Sequence, residues 1–177
     1  MMDKRNRRAV VVRNAEEAIA ACRAAAAHRR SVLAISPPGA ASFAGPIWFK
    51  ALAAAARKAT GARREILFAL DCADAPGAAL AAIHAGVEAI VFRGKGQMRA
   101  KIETIAARAR VPVLAPPRDA LDLARNPRSD ALIDWFSSRG ASLQSPRPSA
   151  KRTATTGAAP KRSGSAAKPP SRGANRP

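Results

Sequence analysis

The sequence is poor in several residue types, and each shortage excludes a class of structure. It has two cysteines, Cys22 and Cys72, which form neither a C-x-x-C pair nor zinc-ligand spacing. A disulfide framework is therefore excluded, and a reducing compartment, the cytoplasm, is expected. No apolar run approaches 18 residues, so no membrane-spanning helix is predicted. The apolar part of the basic opening "MMDKRNRRAVVV" is too short to predict a signal peptide.

Acidic residues are also scarce. The chain has 12 Asp and Glu against 31 Lys and Arg, which gives a net charge of +19. Such a charge favours polyanionic partners such as nucleic acid, anionic lipid or acidic proteins, and it is equally typical of a soluble surface in a chain rich in Arg and Ala because its coding sequence is GC-rich. Alanine supplies much of the 47% apolar content, and tyrosine is absent. A core of small aliphatic side chains is typical of helices packed closely on a sheet.

The composition divides the chain into two parts, an α/β domain over residues 1–140 and a basic segment over residues 141–177. The segment is rich in Pro, Ser, Ala and Gly, and Leu143 is its one large apolar residue. Such a segment cannot bury enough surface to offset its chain entropy, so it is predicted to be disordered. In composition it resembles the basic tails of histone H1-like chromatin proteins. It has no acidic residue and eight basic ones, namely Arg147, Lys151, Arg152, Lys161, Arg162, Lys168, Arg172 and Arg176.

Residues 1–125 alternate between short apolar runs and helical periods. Strands are predicted at residues 8–12, 31–35, 65–70, 88–92 and 111–115. Between them lie four predicted helices, the first capped by Asn14, the second ended by Gly61 and the third capped by Asp74. The predicted inward stripes are Trp48, Leu52 and Ala55 in the second helix, and Met98, Ile102, Ile105 and Ala109 in the fourth. Two further helices are predicted, over 119–125 and over 130–139.

Strands that are apolar on both faces and alternate with amphipathic helices predict a parallel sheet in an α/β fold. Five βα units fit an open doubly wound sheet, flavodoxin-like or Rossmann-like. The alternative is a partial TIM-barrel-like βα array, because "AIHAGVEAIVFRG" resembles the βα units of aldolase-like barrels. Five units cannot close an eight-stranded barrel.

Ligands of open parallel sheets bind where the strands end. The segment "RGKG" follows the fourth strand, and its glycines and two cations favour an anion at the start of a helix. It is more typical of a glycine-rich βα turn with solvated basic residues, and it matches neither a G-x-G-x-x-G fingerprint nor a Walker loop. The loop "SPPGAAS" after the second strand is long enough to contact a ligand, and it is equally typical of a rigid proline turn that anchors Trp48 and Phe49. The candidate anion- or ligand-binding residues are Asn14, Ser36, Gly39, Asp71, Arg93, Gly94, Lys95 and Gly96.

The stretch "DCAD" resembles the phosphoacceptor site of bacterial receiver domains, with Asp71 at the matching position. The first strand ends in Arg13 and Asn14 rather than in an acidic pair, and the fifth strand ends without the expected lysine. Phosphoryl transfer would lack its metal and its charge stabilisation. Asp71 is therefore expected to bind neighbouring backbone N–H groups.

A nucleophilic role for Cys72 would need a base, but His28 and His84 lie late in predicted helices, toward the opposite edge of the sheet. No catalytic residue, metal site or cofactor is predicted. The favoured function is a binding module without evident catalytic machinery, whose basic segment binds nucleic acid or another polyanion non-specifically. The alternative is a small enzyme or enzyme-derived domain that binds a phosphorylated metabolite at the strand ends. A third hypothesis is a protein-interaction module that could self-associate, because the helix carrying Trp135 and Phe136 is expected either to pack on the sheet or to offer a partner an apolar face.

Overall fold

The computed structural model describes residues 7–62, 66–126 and 130–138. The basic segment and its eight cations therefore lie outside the described residues. Within the described ranges the chain forms six strands and six helices. In chain order they are β1 Arg8–Val11, α1 Ala15–Ala27, β2 Val32–Ile35, α2 Ala40–Phe43, α3 Gly45–Thr60, β3 Ile66–Asp71, α4 Pro76–His84, β4 Ala89–Val91, α5 Gly96–Arg108, β5 Val113–Leu114, β6 Ala120–Asp122 and α6 Ala131–Ser137.

The six strands form one all-parallel sheet, which confirms the predicted α/β class with alternating helices. Their order is β5-β4-β3-β2-β1-β6, so the first five strands lie side by side in chain order. Right-handed crossovers between successive neighbours place their helices on one face. Accordingly, every buried helix residue joins one large core cluster, whereas the other face buries a small cluster of strand residues alone. Neighbouring strands in chain order with helices on one face match the consecutive order of the alternative βα array, whereas a doubly wound sheet carries helices on both faces.

The predicted helix over residues 119–125 is wrong, because Ala120–Asp122 form β6 and residues 123–125 form a turn. β6 pairs in parallel with the free side of β1, Ala9 aligning with Ala120 and Val11 with Asp122. Leu121 enters the main core at 3% exposure. The side of β1 that does not face β2 has backbone N–H and C=O groups that need hydrogen-bond partners, and β6 provides them. This pairing cannot be predicted from the local sequence of residues 119–125.

The helices begin and end largely as predicted, with one exception. Asn14 caps α1 by accepting a 2.8 Å bond from the Glu17 N–H, and Gly61 ends α3 in the left-handed region at φ +69°. Asp74 does not cap α4, whose N-cap is Ala75 without a side-chain bond. Pro76 opens this helix, and proline is well suited to a first turn because it has no N–H to satisfy.

Two predicted stripes are partly wrong. α3 buries Leu52 as predicted, but its other inward residues are Phe49, Ala53 and Ala56, while Ala55 is exposed. α5 buries Ile102 and Ala106, whereas Met98 is exposed. The stripes were displaced by about one residue, which rotates the predicted face by roughly 100°.

α6 packs its aromatic side chains into the domain. Trp135 is 6% exposed and Phe136 is 1% exposed. The guanidinium of Arg8 lies 5.0 Å from the Trp135 ring centroid, and Phe136 stacks on His28 with centroids 5.9 Å apart. The hypothesis that these two rings offer an apolar face to a partner is therefore wrong. Among the described helices, none combines the length and apolarity needed to cross a membrane.

Candidate functional site

Asp71 is the centre of the carboxyl edge of the sheet, the edge at which the strands end. Its side chain is 1% exposed. One carboxylate oxygen, Oδ1, accepts from the N–H groups of Gly39 and Ala73, each at 2.9 Å. Arg93 donates to both oxygens at 2.7 Å. Asp71 thus ties together the loops that follow β2, β3 and β4.

Four of the predicted site residues, Ser36, Gly39, Asp71 and Arg93, meet at this point. The Ser36 hydroxyl accepts a 2.9 Å bond from the backbone N–H of Asp71, and Ser36 is 1% exposed. Three of the four bonds to Asp71 are to Oδ1 and one is to Oδ2, and the carboxylate is buried against a guanidinium, which is typical of a structural ion pair rather than of a general base. The expectation that Asp71 binds neighbouring N–H groups therefore matches its contacts, and Arg93 is its additional, charged partner.

The other predicted residues have separate structural roles. Lys95 is exposed and begins α5 as its N-cap through its extended backbone. Gly96 has φ +55°, the left-handed region that favours glycine. A Cβ atom at position 94 would lie 2.3 Å from the buried Phe92 ring, so Gly94 is required for packing. Asn14 is occupied in capping α1. These contacts account for the glycines of "RGKG" without an anion.

A second ion pair, which the sequence reasoning missed, lies at the same edge. Arg13 donates to Asp122 at 2.6 and 2.7 Å, and the Ala124 N–H donates to the same carboxylate at 3.1 Å. The Arg13 guanidinium holds the pKa of Asp122 below its ordinary value. The side chains of Arg13 and Arg93 are similarly exposed, at 34% and 35%.

The two pairs repeat one geometry, which we call the arginine–aspartate clamp. Asp71 aligns with Val91 in the neighbouring strand and Asp122 with Val11, and each arginine follows two residues after that valine. Each aspartate also accepts from the N–H two residues ahead, Ala73 or Ala124. The two clamps lie three strands apart in the sheet.

The sequence carries a signal for this repeat. "AIVFR" at residues 89–93 matches "AVVVR" at 9–13, and "ALDCA" at 69–73 matches "ALDLA" at 120–124. Comparison of the four segments would have predicted a strand at 120–122 and a partner for Arg13. Comparisons of the whole chain with protein-family models and with curated proteins give no match.

Cys72 is buried beside Asp71, in surroundings that make its thiol unreactive. Its Sγ lies 3.7 Å from the carbonyl oxygen of Leu70. Burial, with a smaller contribution from the charge of Asp71, raises the pKa of the thiol to about 12. Because the thiolate is the nucleophilic form, the folded environment disfavours reaction at neutral pH. In the described part of the chain, no cluster of three or more potential metal-ligating side chains occurs.

We expect both thiols of the folded chain to react with a disulfide reagent at pH 8 at least 100-fold more slowly than an exposed cysteine. Both are buried, and burial also raises the pKa of Cys22. The release of thiolate from the reagent would be followed by absorbance, first in buffer and then in denaturant. A Ser42→Cys variant supplies the exposed control. Reaction of Cys72 in the native state at the control rate would contradict its assigned environment.

A cavity of about 230 Å³ lies away from this edge, beside α3 and the start of β4. Phe49, Lys50, Phe68 and Val87 are among its lining residues. Its charged groups are bonded to one another or to the backbone. Arg57 donates to Glu88 at 2.7 Å, and Lys50 donates to the Ala85 carbonyl at 2.6 Å. This bonding is typical of a structural lining rather than a ligand site.

Proposed function

We propose that the protein is a non-catalytic α/β module that binds nucleic acid or another polyanion without sequence preference, chiefly through residues 141–177. The observation that carries the proposal is the presence of eight basic residues and no acidic one in this segment. Cations that neutralise phosphates release condensed counterions, and this release supplies most of the free energy of sequence-independent binding. No aromatic residue interleaves the eight cations, so base stacking is not expected to contribute.

The contacts of Asp71 support a binding module over the alternative, an enzyme acting on a phosphorylated metabolite. Asp71 was the acid–base group of that hypothesis, and its carboxylate is engaged by Arg93 and two backbone N–H groups. A cytoplasmic location is part of the proposal, and the two free cysteines are compatible with it.

The proposal predicts a steep salt dependence that originates in residues 141–177. We expect log K for duplex DNA to fall linearly with log salt concentration, and to fall less steeply when all eight cations of the full chain are replaced by glutamine. Full engagement of eight phosphates would contribute a slope of about 7. Fluorescence anisotropy with two unrelated duplexes between 50 and 200 mM salt would measure this slope.

A chain with residues 141–177 in scrambled order keeps the charge and composition and is the matched control. It should bind both duplexes as the parent does, because charge alone carries the interaction. Unchanged affinity of the glutamine variant would refute the role of the segment. A large difference between the two duplexes would refute sequence-blind binding.

A further inference from the structure

Many basic residues lie at the amino edge of the sheet, the edge where the parallel strands begin. The helices α1, α3, α4 and α5 end at this edge. Because each helix connects the end of one strand to the start of the next parallel strand, the residues that leave these helices share this edge. We call the following set the basic edge: Arg7, Arg8, Arg29, Arg30, Lys58, Arg108 and Arg110.

The charge of the two edges is unequal. Among the described residues, Glu88 and Asp119 are acidic groups that precede strands at this edge, and Glu88 is bonded to Arg57. The carboxyl edge carries the two clamp aspartates and further acidic residues at the start of α1 and α4. Two cations of the basic edge, Arg8 and Arg30, are close enough to repel each other. The pKa of Arg8 is lowered first by burial and then by the charge of Arg30.

Backbone strain at this edge gives a second, independent observation. Arg29 and Arg110 follow α1 and α5 with φ +49° and +59°. The corresponding positions after α3 and α4 are Gly61 and Gly86, each at φ +69°. Glycine is the residue that adopts this region without a steric penalty. Two arginines thus occupy positions where glycine would be less strained, and such outliers motivate a functional hypothesis.

The surroundings of these arginines favour phosphate over lipid. Arg29, Lys58, Arg108 and Arg110 are exposed. The exposed large apolar side chains of the described residues are Phe43, Ile47, Met98 and Ile133, and they lie in α2 or in the first turns of other helices, away from this edge. A surface without apolar residues has little to insert into a bilayer. Exposed guanidinium groups instead match the oxygens of phosphodiesters.

The spacing of the arginines also suits a polynucleotide. Arg29 precedes β2 and Arg110 precedes β5, and these strands lie three positions apart in the sheet. Three interstrand spacings of about 4.8 Å separate them by roughly 14 Å. That distance is the axial rise of about four nucleotides in one strand of B-DNA.

We infer that the basic edge is a second nucleic-acid contact, by which the folded domain binds the phosphate backbone alongside residues 141–177. The inference rests on the proposed function and extends it to the domain itself. Its chemistry is electrostatic, so it adds affinity without sequence preference.

The test compares pairs of substitutions in the full chain. Arg29→Gln with Arg110→Gln should reduce the slope of log K against log salt by about 2, and weaken duplex binding roughly 10- to 50-fold at 0.1 M salt. Lys95→Gln with Arg125→Gln removes the same charge at the opposite, carboxyl edge, where both side chains are exposed, and should change the slope by less than half as much. Equal changes from the two pairs would overturn the inference, because net charge alone would then explain binding.

Glycine substitutions separate binding from stability. Arg29→Gly with Arg110→Gly should weaken DNA binding as the glutamine pair does, while leaving the melting temperature unchanged or raising it. A lowered melting temperature with unchanged DNA affinity would show that these arginines serve the helix ends, since cations there also stabilise a helix dipole. That result would overturn the inference.

Two further outcomes separate this inference from the proposed function. If the glutamine variant of residues 141–177 loses binding but the basic-edge pair does not, the inference fails and the proposed function stands. If the parent chain binds heparin, a polyanion without bases, but not duplex DNA, the inference fails and the proposed function stands; if it binds neither, both fail. Binding of phosphatidylserine vesicles that is stronger than DNA binding and equally dependent on Arg29 and Arg110 would overturn the choice of nucleic acid.

Discussion

Replacing Asp71 by asparagine should lower the free energy of unfolding by about 3 kcal/mol, the lower end of the range for breaking a buried ion pair from one side. The amide keeps the size of the carboxylate and can still accept from the Gly39 and Ala73 N–H groups. It loses the charge that pairs with Arg93, and its NH₂ would face a guanidinium donor. Chemical denaturation with linear extrapolation would measure the change.

The second clamp supplies a matched control within the same chain. Asp122→Asn removes the same type of bidentate pair, but the Asp122 side chain is 17% exposed, against 1% for Asp71. Water can solvate the partners left behind at the more exposed clamp, so we expect a loss of about 1 kcal/mol there. Equal losses, or a larger loss at Asp122, would contradict the argument that burial determines the difference.

Replacing Gly94 by alanine should lower the free energy of unfolding by about 2 kcal/mol. The added Cβ would lie 2.3 Å from Cζ and 2.4 Å from Cε1 of Phe92. The Phe92 side chain is fully buried in the main core, so its ring cannot move aside without displacing neighbours. Overpacking of this kind typically costs about 1–3 kcal/mol.

Gly77→Ala is the control for this substitution. Gly77 lies in α4 outside the left-handed region, and a Cβ atom added to it would meet no other atom within 4 Å. Alanine there should raise the free energy of unfolding by about 0.5 kcal/mol, because it restricts the unfolded chain and favours the helix. Combining Gly94→Ala with Phe92→Leu should recover part of the loss. Additive effects of the two substitutions would show that the ring is not the cause.

The alternation of strands and helices was predictable because it rests on local periodicity. Runs such as "VLAI" are apolar at every position, and each is followed by a helical period with a cap or a glycine stop. The strands, which are apolar on both faces, also predicted that both faces of the sheet are buried. It could not predict that one face is covered by helices while the other buries small strand residues such as Ala9, Ala69 and Ala89.

The candidate site was predictable in part. Placing the strand ends at one edge correctly brought Ser36, Gly39, Asp71 and Arg93 together. The role of Gly94 was missed because the ring beneath it belongs to Phe92, whose side-chain direction follows from core packing. The three-residue strand β6 was missed because "DALDLAR" alone has no strand signal stronger than its helical one.

By itself the sequence determined the order of the first five strands and the helices between them and the loop positions of the charged residues, and it predicts a basic segment after residue 140. The tertiary structure alone decided the strand order, the pairing of β6 with β1 and the partners of the clamp aspartates. The physical reason is the separation along the sequence over which each interaction acts. Caps and periods act over a few residues, whereas Arg93 and Asp71 lie 22 positions apart, and Arg13 and Asp122 lie 109 positions apart. Such pairs meet only once the sheet has assembled.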